Sequence, residues 1–102
     1  MILHTLNKAP GTLACKNCLN TLNYPTTPDS SQDSLLLLED GVYLADHANA
    51  KLLEGLPKNI YAIDADVEAR GLLHRLLPQV TLVSYADFVR LVTEHKLTKS
   101  WQ

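Results

Sequence analysis

The sequence predicts an α/β fold, with a mostly parallel sheet of four or five short strands and helices on both of its faces. Three observations lead there. Short apolar or β-prone runs occur at residues 2–6, 35–38, 59–63 and 80–83. Each is followed by a stretch with helical spacing of its apolar residues, and strands joined by single helices form right-handed parallel crossovers. The chain has 102 residues, 46% of them hydrophobic and 20% charged, which suits one globular core and a single domain over residues 1–102.

Taken in order, Ile2-Leu-His-Thr-Leu6 reads as a strand closed by Asn7-Lys8-Ala9-Pro10-Gly11. Cys15, Cys18, Leu19 and Leu22 fall at i, i+3, i+4 and i+7, one face of a helix running from Leu13 to about Leu22, with Thr12 as its N-cap. Residues 23–34 are polar, hold two prolines and lack periodicity, so they read as a long loop. Leu35–Leu38 is a continuous apolar run, as expected of a strand covered on both faces. Glu39-Asp40-Gly41 ends it, and Val42, Ala45, Ala48 and Leu52 predict a helix that Gly55-Leu-Pro57 stops.

Asn59–Ile63 is the third strand, and a helix is expected from Asp64 to about Leu77, before Pro78. Val80–Val83 is the fourth. Ser84-Tyr85-Ala86-Asp87 has the capping-box pattern ahead of a helix whose apolar face holds Tyr85, Phe88, Val89 and Val92. Leu97–Trp101 alternates and reads as a short edge strand.

Composition excludes several classes of function. Nine basic against eleven acidic residues give a net charge of −2 and no basic stripe, so direct, tight nucleic-acid binding is not expected. No apolar run approaches the ~20 residues that span a bilayer, and the start lacks the pattern of a signal peptide. A cytoplasmic location follows, with the two cysteines as thiols.

In an open parallel sheet, ligands gather beyond the carboxyl ends of the strands. Those ends carry Asn7, Lys8, Glu39, Asp40, Asp64, Asp66 and Ser84. The acids have two readings, an acid/base or metal cluster, or helix starts that favour Asp40, Asp64, Asp66 and Ser84; the second is preferred because each sits at a predicted helix start. No glycine-rich nucleotide loop is present, and His4, His47, His74 and His95 lie on four different elements without ligand spacing. No cofactor and no metal are expected. His4 reads as a hydrogen-bonded core histidine, the other three as surface residues. Cys15-Lys16-Asn17-Cys18 is the remaining motif. It has the spacing of a dithiol redox pair, yet both cysteines lie on the apolar stripe, where free Cys packs as a small hydrophobe. Cys15 would lie in the first helical turn, where the dipole lowers a thiol pKa. Buried core residues and a sulfur-handling role both stay open.

Four stretches together resemble one family: Leu3-His-Thr-Leu-Asn-Lys-Ala-Pro10, Leu36-Leu-Leu-Glu-Asp-Gly-Val-Tyr43, Asp66-Val-Glu-Ala-Arg-Gly-Leu72, and Tyr85-Ala-Asp-Phe-Val-Arg-Leu91 with Trp101. They are similar to the TusB/DsrH proteins along the whole chain. The resemblance implies a three-layer α/β sandwich and assembly with TusC-like and TusD-like subunits in a heterohexamer of two copies each. It further implies a persulfide relay toward 2-thiouridine at the wobble position of tRNA, or, in the DsrH branch, sulfur oxidation. Residues 69–72 and 88–91 look closest to the tRNA branch. The principal persulfide cysteine of such a complex lies on another subunit, so this chain would be a supporting, non-catalytic partner. Cys18, followed by Leu19, falls where DsrH-type members carry a cysteine, which makes it the first candidate for a secondary persulfide acceptor; Cys15 is the second. The alternative from another class is a small dithiol redox protein using Cys15 and Cys18.

Overall fold

The computed structural model describes residues 1–24, 33–56 and 59–102. Its strands are β1 (Ile2–Leu6), β2 (Ser34–Leu37), β3 (Asn59–Ile63), β4 (Val80–Val83) and β5 (Leu97–Trp101). The helices are α1 (Leu13–Asn23), α2 (Ala50–Leu53), α3 (Asp64–Ala69) and α4 (Tyr85–Glu94), with 3₁₀ segments at Glu39–Ala45, His47–Asn49 and Leu73–Arg75. All strand pairs are parallel, in the order β4-β3-β2-β1-β5. Helices of the described residues are all too short or too polar to cross a membrane.

From β1 to β4 the chain steps across the sheet in one direction, then returns to lay β5 beside β1. Right-handed crossovers therefore send the first three connections to one face and α4 to the other. The packing has that form. On the first face Leu6, Leu35, Leu37, Ile60 and Ala62 pack with Cys15, Cys18 and Leu22 of α1, Leu53 of α2 and Val67 of α3. On the second, Leu3, Leu36, Ile63 and Val83 meet Leu91, with Phe88 and Tyr61 at the margin. Alternate residues of each strand serve opposite faces, as a pleated strand requires. The expectation of a parallel sheet with helices on both faces holds, and Leu35, Leu36 and Leu37 are fully buried.

Two expected helices are shorter or tighter than their apolar spacing suggests. Between Val42 and Leu52 the chain runs as 3₁₀ turns, with α-helix only at Ala50–Leu53. Asp46 is extended (φ −65°, ψ 138°) and its carboxylate caps the next turn by accepting the Ala48 N–H, which breaks any continuous helix. The helix expected to reach Leu77 ends at Ala69. Gly71 adopts φ +68°, Leu72 N–H donates to the Val67 carbonyl, and Gly71 N–H donates to that of Glu68. This is a Schellman stop, with the apolar Leu72 and Val67 in the same core cluster. The two expected N-caps are present: Thr12 accepts from Cys15 N–H, and Ser84 forms a full capping box with Asp87. The polar stretch 23–34 lies largely outside the described residues, but Asn23 belongs to α1 and Ser34 opens β2. Pro57 of the expected stop at 55–57 also falls outside them.

The acids at the carboxyl ends lie in the first turns of their helices, as expected, but none is an N-cap. Asp64 accepts the Ala65 N–H, whereas Asp40 pairs with Arg70 at 3.0 Å. Asp66 Oδ2 accepts both the Glu39 N–H, at 2.8 Å, and the Tyr85 hydroxyl, at 3.0 Å. Glu39 is the one described non-glycine residue with positive φ, at 50°, a conformation that costs about 1 kcal/mol or more without support. Asp66 thus holds the turn after β2 and ties it to the first turn of α4.

That turn also brings Gly41 against β1. A Cβ on Gly41 would run into the Leu6 carbonyl oxygen, a backbone atom that is itself held by the Leu38 N–H. Gly41→Ala is expected to destabilise the protein by at least about 2 kcal/mol in urea unfolding. A cost below about 0.5 kcal/mol would contradict this packing.

Candidate functional site

The residues with chemical potential meet on the α1 face, where α1 crosses β1 and β5. Thr12 starts α1, and the spacing of its apolar residues turns Cys15, Cys18, Leu19 and Leu22 inward. The register pairs His4 with Lys99 and Leu6 with Trp101 on neighbouring strands, so those side chains share the face that α1 covers.

Both cysteines are free thiols, and both are closed to solvent, at 1% exposure for Cys15 and 0% for Cys18. Burial pushes the Cys15 thiol up, against a backbone hydrogen bond from Gly11. Burial likewise pushes the Cys18 thiol up, to about 12, with Cys15 adding to the rise and the Lys99 charge opposing it. The expected benefit of the first helical turn for Cys15 is outweighed by desolvation. At pH 7 a thiol held near that value is ionised in about one molecule in 10⁵, far from the poise of a sulfur nucleophile.

Beside the thiols lies a polar lock. His4 is 2% exposed, and its Nδ1 lies 3.1 Å from the Trp101 indole Nε1. An indole nitrogen only donates, so Nδ1 accepts and the ring proton sits on Nε2. That nitrogen lies 3.2 Å from Asp33 Oδ2, whose other oxygen accepts the Ile2 N–H at 2.8 Å. The expected hydrogen-bonded core histidine is borne out. Lys99 Nζ sits 4.4 Å from the Trp101 ring centroid, a cation–π contact that keeps the indole in place. Asp33 escaped the sequence reading because it falls in a polar stretch; the signal was an acid two residues before an apolar run.

The other histidines divide. His47 and His74 are exposed, as expected. His95 is half-buried: its Nδ1–H donates to the Leu91 carbonyl at 2.7 Å, and Nε2 accepts from the Ser34 hydroxyl at 2.9 Å, fastening the end of α4 to β2. Among the described residues no three His, Cys, Asp or Glu side chains are grouped as a metal site would need. Among the larger apolar side chains, Leu44 is core, Phe88 and Trp101 are partly buried, and Tyr43 is exposed.

A family model described as DsrH like protein matches residues 12–98. The chain belongs to the DsrH-like family. Protein TusB of Escherichia coli strain K12 is 36% identical over 102 residues, which is 98% of this chain and 100% of that protein. Protein TusB of Shigella flexneri matches with the same identity and coverage. In this DsrH-like chain the cysteine pair is thus part of the larger core, and the polar groups around it are paired with one another.

Two measurements test that arrangement. Native protein at pH 8 should leave both thiols unlabelled by iodoacetamide, with full labelling after unfolding. The unfolded Cys18 thiol ionises near its ordinary value of 9.0 and the folded one not until about 12, so the unfolded state binds fewer protons in between. Stability is complete below the lower value and falls with rising pH between them, by about 1.4 kcal/mol per pH unit from this group. Cys18→Ala should flatten that slope; an unchanged slope would show that Cys18 is not the group responsible.

Removing the indole donor tests the neighbouring polar lock. Trp101→Phe leaves His4 Nδ1 buried and unpaired, and should cost about 1–3 kcal/mol in urea unfolding. A loss of only a few tenths would mean the lock contributes little.

Proposed function

We propose that this chain is the supporting subunit of a TusBCD-type sulfur-relay complex that serves 2-thiolation of the wobble uridine of tRNA. The observation that carries the reading is identity of 36% with Protein TusB across nearly the whole chain. Its partners in that reading are TusC-like and TusD-like subunits, assembled as a heterohexamer. The burial of Cys15 and Cys18 supports a structural rather than an acceptor role, because a persulfide relay needs a thiolate that a donor can reach. Exposed apolar residues support a life in an assembly. Tyr85, Val89 and Val92 fall at i, i+4 and i+7 on α4 and are 49%, 65% and 39% exposed, a stripe without cover in the isolated chain. A DsrH-type role in sulfur oxidation is the second reading, favoured by the family model that matches residues 12–98.

The test is co-expression with the two partner subunits of the same cell, followed by size-exclusion chromatography with light scattering. A stable hetero-oligomer is expected, together with lower wobble 2-thiouridine in tRNA when the gene is deleted. A hetero-oligomer with unchanged thiouridine would move the assignment to the sulfur-oxidation branch. A chain that stays apart from both partners, with thiolation unchanged, would falsify the relay reading.

A further inference from the structure

Asp40-Gly41 is the one place in the sequence where an Asp or Asn precedes glycine. In an open chain such a pair reacts with itself, because glycine puts no side chain in the way of its own amide nitrogen. A bond forms between the Gly41 nitrogen and Asp40 Cγ, a Cγ–O bond breaks, and the hydroxyl leaves with the amide proton as water. The product is a five-membered succinimide. Water then opens the ring at either carbonyl. One opening restores aspartate; the other leaves isoaspartate, with the main chain routed through the side-chain carbons and one carbon longer.

The fold leaves this pair open to water and holds it against the reaction. The Asp40 side chain is 61% exposed, so access of water is not the restraint. Geometry is. Ring closure needs the Gly41 nitrogen eclipsed with Asp40 Cβ about the Cα–C bond. Residues 39–45 form 3₁₀ turns, whose ψ of about −25° keeps the two far from eclipsed. The Gly41 N–H donates to the Leu38 carbonyl at 2.9 Å, which fixes the nitrogen in that direction. Asp40 Oδ1 accepts two N–H groups of Arg70, from Nε at 3.1 Å and Nη2 at 3.0 Å. Nη1 of the same guanidinium donates to the Asp66 carbonyl at 3.3 Å, so the carboxylate is tied to α3.

We propose that Asp40-Gly41 is an isoaspartate-forming site that Arg70 holds inactive in the folded chain, and that the change is one-way. Rotation of Asp40 into the reactive form releases the Leu38 bond and the Arg70 grip together. Once isoaspartate has formed, the extra main-chain carbon lies beside Gly41, where even a Cβ would meet the Leu6 carbonyl oxygen. The turn then cannot close on β1, and Val42, Leu44 and Ala45, all buried just beyond it, lose their seating. Arg70 is thus a positioning residue for the chemical lifetime of the chain, although an exposed ion pair adds little to stability. The inference stands apart from the relay reading.

The experiment is storage of the full chain for several weeks at neutral pH and body temperature, folded and in guanidinium chloride. Isoaspartate is read by enzymatic methylation and assigned to residue 40 by fragmentation of its peptide. The denatured chain is expected to gain isoaspartate there, and the folded chain at least about tenfold more slowly, because the turn must open first. Arg70→Gln should speed the folded reaction about two- to fivefold, the factor that loss of an exposed ion pair gives. Arg70→Lys keeps the charge and loses the double grip; it should fall between the two, and it stands in if Arg70→Gln folds poorly. Cys18→Ala, which alters α1 and leaves this turn its partners, should react at the wild-type rate. The modified fraction should not refold on dilution. A folded chain as fast as the denatured one, Arg70 variants no faster than wild type, or an equal rise in Cys18→Ala would each overturn the proposal. So would a denatured chain without isoaspartate at residue 40, or a modified chain that regains native stability.

Discussion

Right-handed crossover connections, combined with a strand order that returns to β1 only at the end, govern the rest of this molecule. They put α1, the 3₁₀ turns, α2 and α3 together on one face and leave α4 by itself on the other. One face therefore has a broad core in which even cysteines are sealed, and the other has a thin one. The fate of the thiols is a consequence of layer thickness. The same Cys-x-x-Cys spacing on a helix at the thin face would leave at least one sulfur within reach of solvent.

The thick face also has to accommodate polar groups, and it does so by pairing each of them. His4, Asp33 and the Trp101 indole satisfy one another in a fixed order of donors and acceptors, set by the one role an indole nitrogen can take. An apolar trio of similar size would pack there with less risk, since a half-satisfied buried network is worse than none. What the polar trio adds is register: only one alignment of β5 on β1 brings the indole to the imidazole.

Much of this was readable from residues alone. The four apolar runs gave the strands to within a residue, and Thr12 and Ser84 gave the helix starts, because both signals are local. The failures share a physical origin. Gly71 stops α3 through a positive φ, and Asp46 interrupts the 42–52 stretch by turning extended and capping the next turn. In each case a single backbone requirement overrode an apolar spacing that fitted a longer helix. For the candidate site, the stripe position of Cys15 and Cys18 was visible, but its meaning was not, since burial depends on which elements lie opposite. Asp33 and Trp101 come together with His4 only in three dimensions, across separations of 29 and 97 residues. His95, read as a surface residue, is held by the same kind of distant partner in Ser34.

The pairing of β1 with β5 has a bearing on how the chain comes into being. One of the two neighbours of β1, the strand β5, is synthesised long after it. Until that neighbour is made, one flank of β1 presents bare amides and carbonyls, and His4 waits without its indole partner. Contacts of such long range are slow to form and leave sticky edges exposed in the meantime. Until β5 is in place, that flank is an open sheet edge on which a foreign strand could pair.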